Sequence, residues 1–260
     1  QIQNVTVNSA NFTVEGPSTS TTVSAGETNT DYKIKAKEGL PVGNYTATIT
    51  VTDSNGNYTA TVTLKVEPKQ LTGLGISGLD STWVYGETKT PTATGVTGLG
   101  AGDYKITYSK ENNGSYEDIG TTLPKLVGKY KATLSITNPN YTASEASVDF
   151  EIKPITTEVK VKSHDGEFTY DGSEHTNNAY DVLWANNASP ITDKTLPNGD
   201  KVTAVITGKV RDVKDTALEN NTIGKITITN AEGVDVTDCY SNKVKAAGKL
   251  TVNPITTPIV

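Results

Sequence analysis

The sequence predicts an all-β chain of three tandem antiparallel β-sandwiches in an elongated array, over residues 1–68, 69–154 and 155–260. Three observations carry that expectation. First, a hairpin-like segment recurs: residues 43–68 read GNYTATITVTDSNGNYTATVTLKVEP and residues 128–154 read GKYKATLSITNPNYTASEASVDFEIKP. Repetition on this scale marks an array of one small unit. Second, hydrophobic residues make up 34% and aromatic ones 7% of the chain, too little for one large core but enough for several thin ones. The abundance of Thr, Val, Tyr and Gly suits strands and turns rather than helices. Third, Pro68, Pro154 and Pro254 each follow a strand-like run, and residues 154–157 recur letter for letter as residues 254–257. Proline cannot donate to a ladder, so it fits just beyond a final strand. Junctions so short and regular predict a semi-rigid rod, on the order of 100 Å long if sandwiches about 30 Å tall are laid end to end.

In the first module, Val5, Val7, Phe12 and Val14 sit in short alternating runs, and Gly16-Pro17-Ser18 reads as a turn. Tyr32, Ile34 and Ala36 share a face. In the hairpin, Tyr45, Ala47, Ile49 and Val51 are expected inside, answered by Ala60, Val62, Leu64 and Val66, with the intervening Thr residues in water. Asp53-Ser54-Asn55-Gly56-Asn57 is the expected turn, since its Asn-Gly pair favours positive φ. In the second module the inner positions are Tyr130, Ala132, Leu134 and Ile136, answered by Ala146, Val148, Phe150 and Ile152.

Val84-Tyr85-Gly86-Glu87, Thr107-Tyr108-Ser109, Gly128-Lys129-Tyr130-Lys131-Ala132 and Asn138-Pro139-Asn140-Tyr141 occur in that order. The set resembles the MBG-type domains, Ig-like β-sandwiches found in tandem in large bacterial surface proteins. In the third module, Phe168-Thr169-Tyr170-Asp171-Gly172 resembles the Tyr-Asp-Gly opening of a related surface-repeat family. Ile226 stands there where Tyr opens the hairpin of the other two. The first module reads as a short generic bacterial Ig-like repeat. The resemblance covers about residues 70–254, and implies MBG-like sandwiches and a place on the bacterial cell surface. The long polar stretch 183–221 is expected to hold the third module's large loops, and so any binding surface.

A formal net charge of −6 without a basic patch argues against nucleic acid or an anionic membrane as partner. No stretch approaches the roughly 20 apolar residues of a membrane helix. A chain without Met or a signal peptide reads as a mature or excised fragment, its targeting and anchoring segments lying elsewhere. A lone cysteine, Cys239, allows no intrachain disulfide and reads as a small buried hydrophobe.

The sequence holds no catalytic constellation, so no catalytic, cofactor or metal residues are assigned. Residues 53–57 alternate oxygen side chains as calcium loops do, but lack the closing Glu, and read as a turn. His164 and His175 are too few for zinc. Asp171, Glu174 and His175 read as a solvated turn. Asn4, Asn57 and Asn140 match the N-glycosylation pattern, which arises by chance in a Thr-rich chain. A Lys160- or Lys162-to-Asn253 isopeptide has suitable separation but lacks the characteristic acid motif. Trp184 and Trp83 are the candidate ligand-binding residues, because an indole face suits the C–H groups of a sugar. The expected function is a non-catalytic, monomeric stalk or adhesive segment outside the cell, with a host or bacterial surface glycan or protein as partner. The alternative is an accessory carbohydrate-binding region of a secreted glycan-degrading enzyme.

Overall fold

The computed structural model describes residues 1–256; the end of the predicted third module, Thr257 of the repeated tetrapeptide included, lies outside the described residues. Every regular element described is a strand or a three-residue 3₁₀ turn. The chain forms two compact units: one comprises Gln1–Gly75, Ala93–Ile106 and Leu134–Ala146, the other Ile76–Thr92, Thr107–Thr133 and Ser147–Val260.

In the first unit, Gly43–Asp53 lies between Ile2–Val7 and Gly56–Val66 in an antiparallel sheet. A separate pair joins Phe12–Glu15 to Lys33–Ala36. Asp53 pairs with Gly56, so the turn residues are Ser54 and Asn55. Positive φ falls on Gly56, at 147°, rather than on Asn55. The Asp53 carboxylate closes the turn by accepting from the backbone N–H groups of Asn55 and Gly56 at 2.7 and 3.0 Å. That local bonding accounts for the oxygen-rich loop without a metal.

The inward set of this hairpin is only partly realised. Ala47 is buried and Tyr45, Ile49, Val62 and Leu64 are half-buried, but Ala60 is exposed. The reason is length. Each arm has 11 residues, or about 37 Å at 3.4 Å per residue, while the strands Phe12–Glu15 and Lys33–Ala36 have four each. So short a pair cannot cover the hairpin's tip, where Tyr58 is 55% exposed.

A five-stranded sheet runs in the order Ser115–Gly120, Tyr104–Asn112, Gly128–Ile136, Ala146–Lys153, Thr82–Val84, and its residues 82–84, 107–112, 115–120, 128–133 and 147–153 belong to the second unit. The predicted inner positions Tyr130, Ala132, Leu134, Phe150 and Ile152 are all buried. Phe150 lies at the centre of an aromatic cluster. Trp83 stacks on it at 4.8 Å and Tyr130 at 5.5 Å, and Tyr108 meets it edge-on at 6.3 Å.

The rest of this unit is built of smaller sheets. Val159–Ser163 is flanked by Tyr180–Trp184 and Lys243–Ala246. Lys201–Ile206 pairs with Ile223–Thr229, and Gly166–Thr169 with Leu250–Asn253. Val159, Val161, Val182, Val202, Ile228 and Tyr240 form the core here. Cys239 belongs to it, and burial pushes its thiol pKa up, as expected of an inert side chain. The stretch 183–221 is not all loop. Leu196, Val202 and Val210 are buried, while Ala185, Asn186, Asp193, Lys194 and Glu219 take positive φ in the turns between.

A buried polar network pins one end of that stretch. Asn221 donates through Nδ2 to the carbonyls of His164 and Asn177. Ser163 donates to the Asn221 carbonyl and accepts from the Gly248 N–H at 2.9 Å. Gly208 is required beside it, because a Cβ there would fall 2.3 Å from the Asn221 Cα.

Pairing is not antiparallel throughout. Four pairs are parallel: Lys69–Gln70 with Tyr141–Thr142, Thr82–Val84 with Ala146–Lys153, Val159–Ser163 with Lys243–Ala246, and Gly166–Thr169 with Leu250–Asn253. Each pairs residues at least 69 apart in the chain, far more than the dozen or so that a parallel crossover needs.

Candidate functional site

The repeated Gly-x-Tyr motif has one structural meaning in both hairpins. The Tyr45 hydroxyl donates to the Pro41 carbonyl at 2.7 Å and the Tyr130 hydroxyl to the Leu126 carbonyl at 2.8 Å. Each ring therefore folds back over the glycine two residues before it. A Cβ on Gly128 would lie 3.2 Å from the Tyr130 ring, and one on Gly43 would lie 3.7 Å from the Tyr45 ring. This back-folded Tyr resembles the corner that pins strand to loop in β-sandwiches. Ile226 has no hydroxyl with which to repeat it.

The parallel pairs of the second unit set strands far apart in the chain side by side. Thr82, Trp83 and Val84 oppose Glu151, Ile152 and Lys153, and the ladder is extended by Tyr85 N–H to the Lys153 carbonyl at 2.9 Å. Farther along, residues 159–162 oppose 243–246 and residues 166–169 oppose 250–253, four pairs each. The second ladder is bounded by Gly166 N–H to Lys249 O at 2.9 Å and Tyr170 N–H to Asn253 O at 2.8 Å. In such a pair the chain arrives at one end and departs at the other. Tension along the chain then acts along the strands and loads all the bonds together. An antiparallel hairpin pulled at its open end yields one bond at a time.

A cleft of about 440 Å³ opens beside the first of these ladders, within the second unit. Its wall begins at the turn following Thr82–Val84. Glu87 N–H bonds the Val84 carbonyl at 3.0 Å, and Gly86, third in that turn, has φ 90°, as a type II turn demands. The turn presents Tyr85. Leu123, Pro124 and Leu126 add apolar surface, and Asn198-Gly199-Asp200 and Asn230-Ala231-Glu232 supply the polar side.

Asp200 is 4% exposed. Its Oδ2 accepts from the Tyr240 hydroxyl at 2.6 Å and from Asn198 Nδ2 at 3.1 Å. The Tyr240 ring meets Tyr85 edge-on at 6.0 Å. Burial pushes the pKa of both phenols well above the ordinary tyrosine value, and the neighbouring Asp200 carboxylate pushes them further, so both stay protonated at neutral pH.

Of the two predicted tryptophans, Trp83 lines this cleft, 5% exposed, with one ring face stacked on Phe150 and Lys89 Nζ 5.9 Å from its centroid. Trp184 is half-buried, edge-on to Tyr240 at 6.5 Å, and is not among the lining residues. Sequence reasoning missed Tyr85, Asp200, Asn230 and Glu232. Tyr85 carries a signal only as part of the Val84-Tyr85-Gly86-Glu87 run, and Asn198-Gly199-Asp200 carries none beyond that of a turn. Elsewhere Lys160 pairs with Glu158 at 3.4 Å, Lys162 is exposed, and the Asn253 amide donates to Glu167 at 2.7 Å. His175 bonds Asp171 at 3.0 Å and stacks on Phe168 at 4.5 Å. No group of three or more His, Cys, Asp or Glu among the described residues could hold a metal ion.

No family model matches the chain, and no curated protein does. Among solved structures it is similar to the three N-terminal domains of the highly immunogenic outer capsid protein of bacteriophage RB49. That match is 14% identical with a TM-score of 0.24, and covers 98% of this chain and 89% of the other. A family 107 endo-fucoidan hydrolase matches at 12% identity and TM-score 0.19, over 99% of this chain and 39% of the other. A Bacteroides ovatus mixed-linkage glucan utilization protein, SGBP-B, matches at 14% and 0.15, over 96% and 60%. Likenesses this slight carry neither fold nor function across.

Proposed function

We propose that the chain is a non-catalytic, tension-bearing repeat segment of a bacterial cell-surface protein, serving as a stalk and in adhesion. Its MBG and Tyr-Asp-Gly resemblance and its division into three sandwiches belong to the same proposal. The observation that carries it is the parallel pairing of opening and closing strands at residues 82–84, 159–162 and 166–169. Tension through the two ends then shears such a ladder instead of unzipping it. A single cysteine allows no disulfide, the common staple of thin extracellular domains, within these 260 residues, which leaves the ladders to hold.

Thr251→Pro tests this reading. Thr251 sits in the closing strand opposite Glu167, and proline there removes a donor from the ladder. End-to-end force spectroscopy should show one unfolding event at a lower force than in the parent protein. An unchanged force distribution in a folded variant would show that the ladder bears no load.

A further inference from the structure

We infer that the cleft formed by Tyr85, Asn198, Asp200, Asn230 and Glu232 is a binding site for a neutral saccharide. This names a ligand class for the adhesive part of the proposed function, yet rests on different residues from the load-bearing part. Three features select that class.

The first is size. At about 440 Å³ the cleft falls within the span of roughly 300–1,000 Å³ usual for small-molecule sites, with room for about one or two hexose rings. The second is the arrangement of polar atoms. Both Tyr240 and Asn198 donate to Oδ2 of the buried Asp200, leaving Oδ1 for Tyr85 or a ligand. Asn230 spends its Oδ1 on the N–H groups of Glu232 and Val234, which frees its amide hydrogens to donate. A fixed carboxylate acceptor and a fixed amide donor, set against Tyr85 and the apolar Leu123, Pro124 and Leu126, match a sugar ring's hydroxyl edge and C–H face.

The third is charge. The lining carries three carboxylates, Glu87, Asp200 and Glu232, against the ammoniums of Lys89 and Lys125. Lys89 is already paired with Asp80 at 2.7 Å and Glu87 at 3.2 Å. The carboxylates disfavour an anionic ligand, and the lysines offset most of their charge, so little net attraction is left for a cation. A neutral polyhydroxylated ligand needs no charge partner here.

The test is an amide chemical-shift titration of the intact chain with cellohexaose, xylohexaose, mannohexaose and laminarihexaose. Glucosamine oligomers form the cationic arm and oligogalacturonate the anionic arm. At least one neutral hexasaccharide should shift the amides of Tyr85, Gly86, Gly199, Asn230 and Glu232. Tyr85→Ala and the rim variant Glu232→Gln, each checked for retained fold by its amide spectrum, should weaken that binding about tenfold, or roughly 1.4 kcal/mol. The inference is overturned if none of the neutral sugars binds, if only the glucosamine oligomers bind, if the shifts map elsewhere, or if both folded variants bind as the parent does. Such a result leaves the load-bearing reading standing, since force and not binding tests it.

Discussion

The Tyr130 hydroxyl offers a sharp test of how the repeated motif works. Tyr130→Phe removes one oxygen and keeps the ring, so stacking on Phe150 at 5.5 Å survives. What is lost is the 2.8 Å bond to the Leu126 carbonyl. A net hydrogen bond is worth about 1 kcal/mol, and a carbonyl left partly desolvated adds to that, so the expected loss is about 1–2 kcal/mol. Tyr130 is 3% exposed, so water cannot easily take the hydroxyl's place. With a urea dependence of about 2 kcal/mol per molar, the midpoint should fall by about 0.5–1 M. Trp83 fluorescence in a Trp184→Phe background reports this unfolding locally, because Trp83 and Tyr130 both stack on Phe150. Tyr45→Phe should cost less, since its bond is exposed and water can replace it. An unchanged midpoint for Tyr130→Phe would refute the back-folded tyrosine as the motif's purpose. So would a larger loss at Tyr45, measured by amide exchange in its own hairpin.

Three further outcomes are expected. Phe150→Ala should cost about 3–5 kcal/mol by the same fluorescence assay, because it removes the ring on which Trp83, Tyr130 and Tyr108 converge; a loss below about 1.5 kcal/mol would contradict the cluster's central place. Asn221→Ala should cost about 2–4 kcal/mol by urea unfolding, since it strands the His164 and Asn177 carbonyls, and an unchanged midpoint would count against the network. Tyrosinate absorbance should rise in two stages on alkaline titration, because Tyr85, Tyr108, Tyr130 and Tyr240 all have raised folded-state values. Their stabilising contribution is complete below the unfolded tyrosine value of about 10 and is lost as pH rises above it, so the late stage should coincide with loss of structure; a single early stage would contradict their burial.

How much of this was legible in the sequence depends on what each residue reports. A period of two names the inward face wherever an opposing layer exists to cover it. Phe150, Ile152, Tyr130 and Ala132 were therefore readable, and Ala60 was misread because the covering strands stop short. The alternation of a strand does not reveal which neighbour it pairs with. Parallel pairing of strands as far apart as Gly166–Thr169 and Leu250–Asn253 is a long-range choice, invisible to local pattern. The same limit hid the cleft: Tyr85, Asp200 and Glu232 come from turns more than 30 residues apart, each ordinary by itself. Trp83 was legible as a large aromatic, but its burial against Phe150 was not, because stacking depends on the sheet beneath it.

The most direct test of the tension-bearing account compares two pulling directions on the same protein. In one, force is applied through the two chain ends, shearing the ladders of residues 159–162 and 166–169 against their closing strands. In the other, handles on Lys201 and Thr229, which oppose each other in an antiparallel pair, unzip that hairpin from its end. The account predicts a distinctly higher unfolding force end to end than across the hairpin. Equal forces, or a lower one end to end, would contradict it.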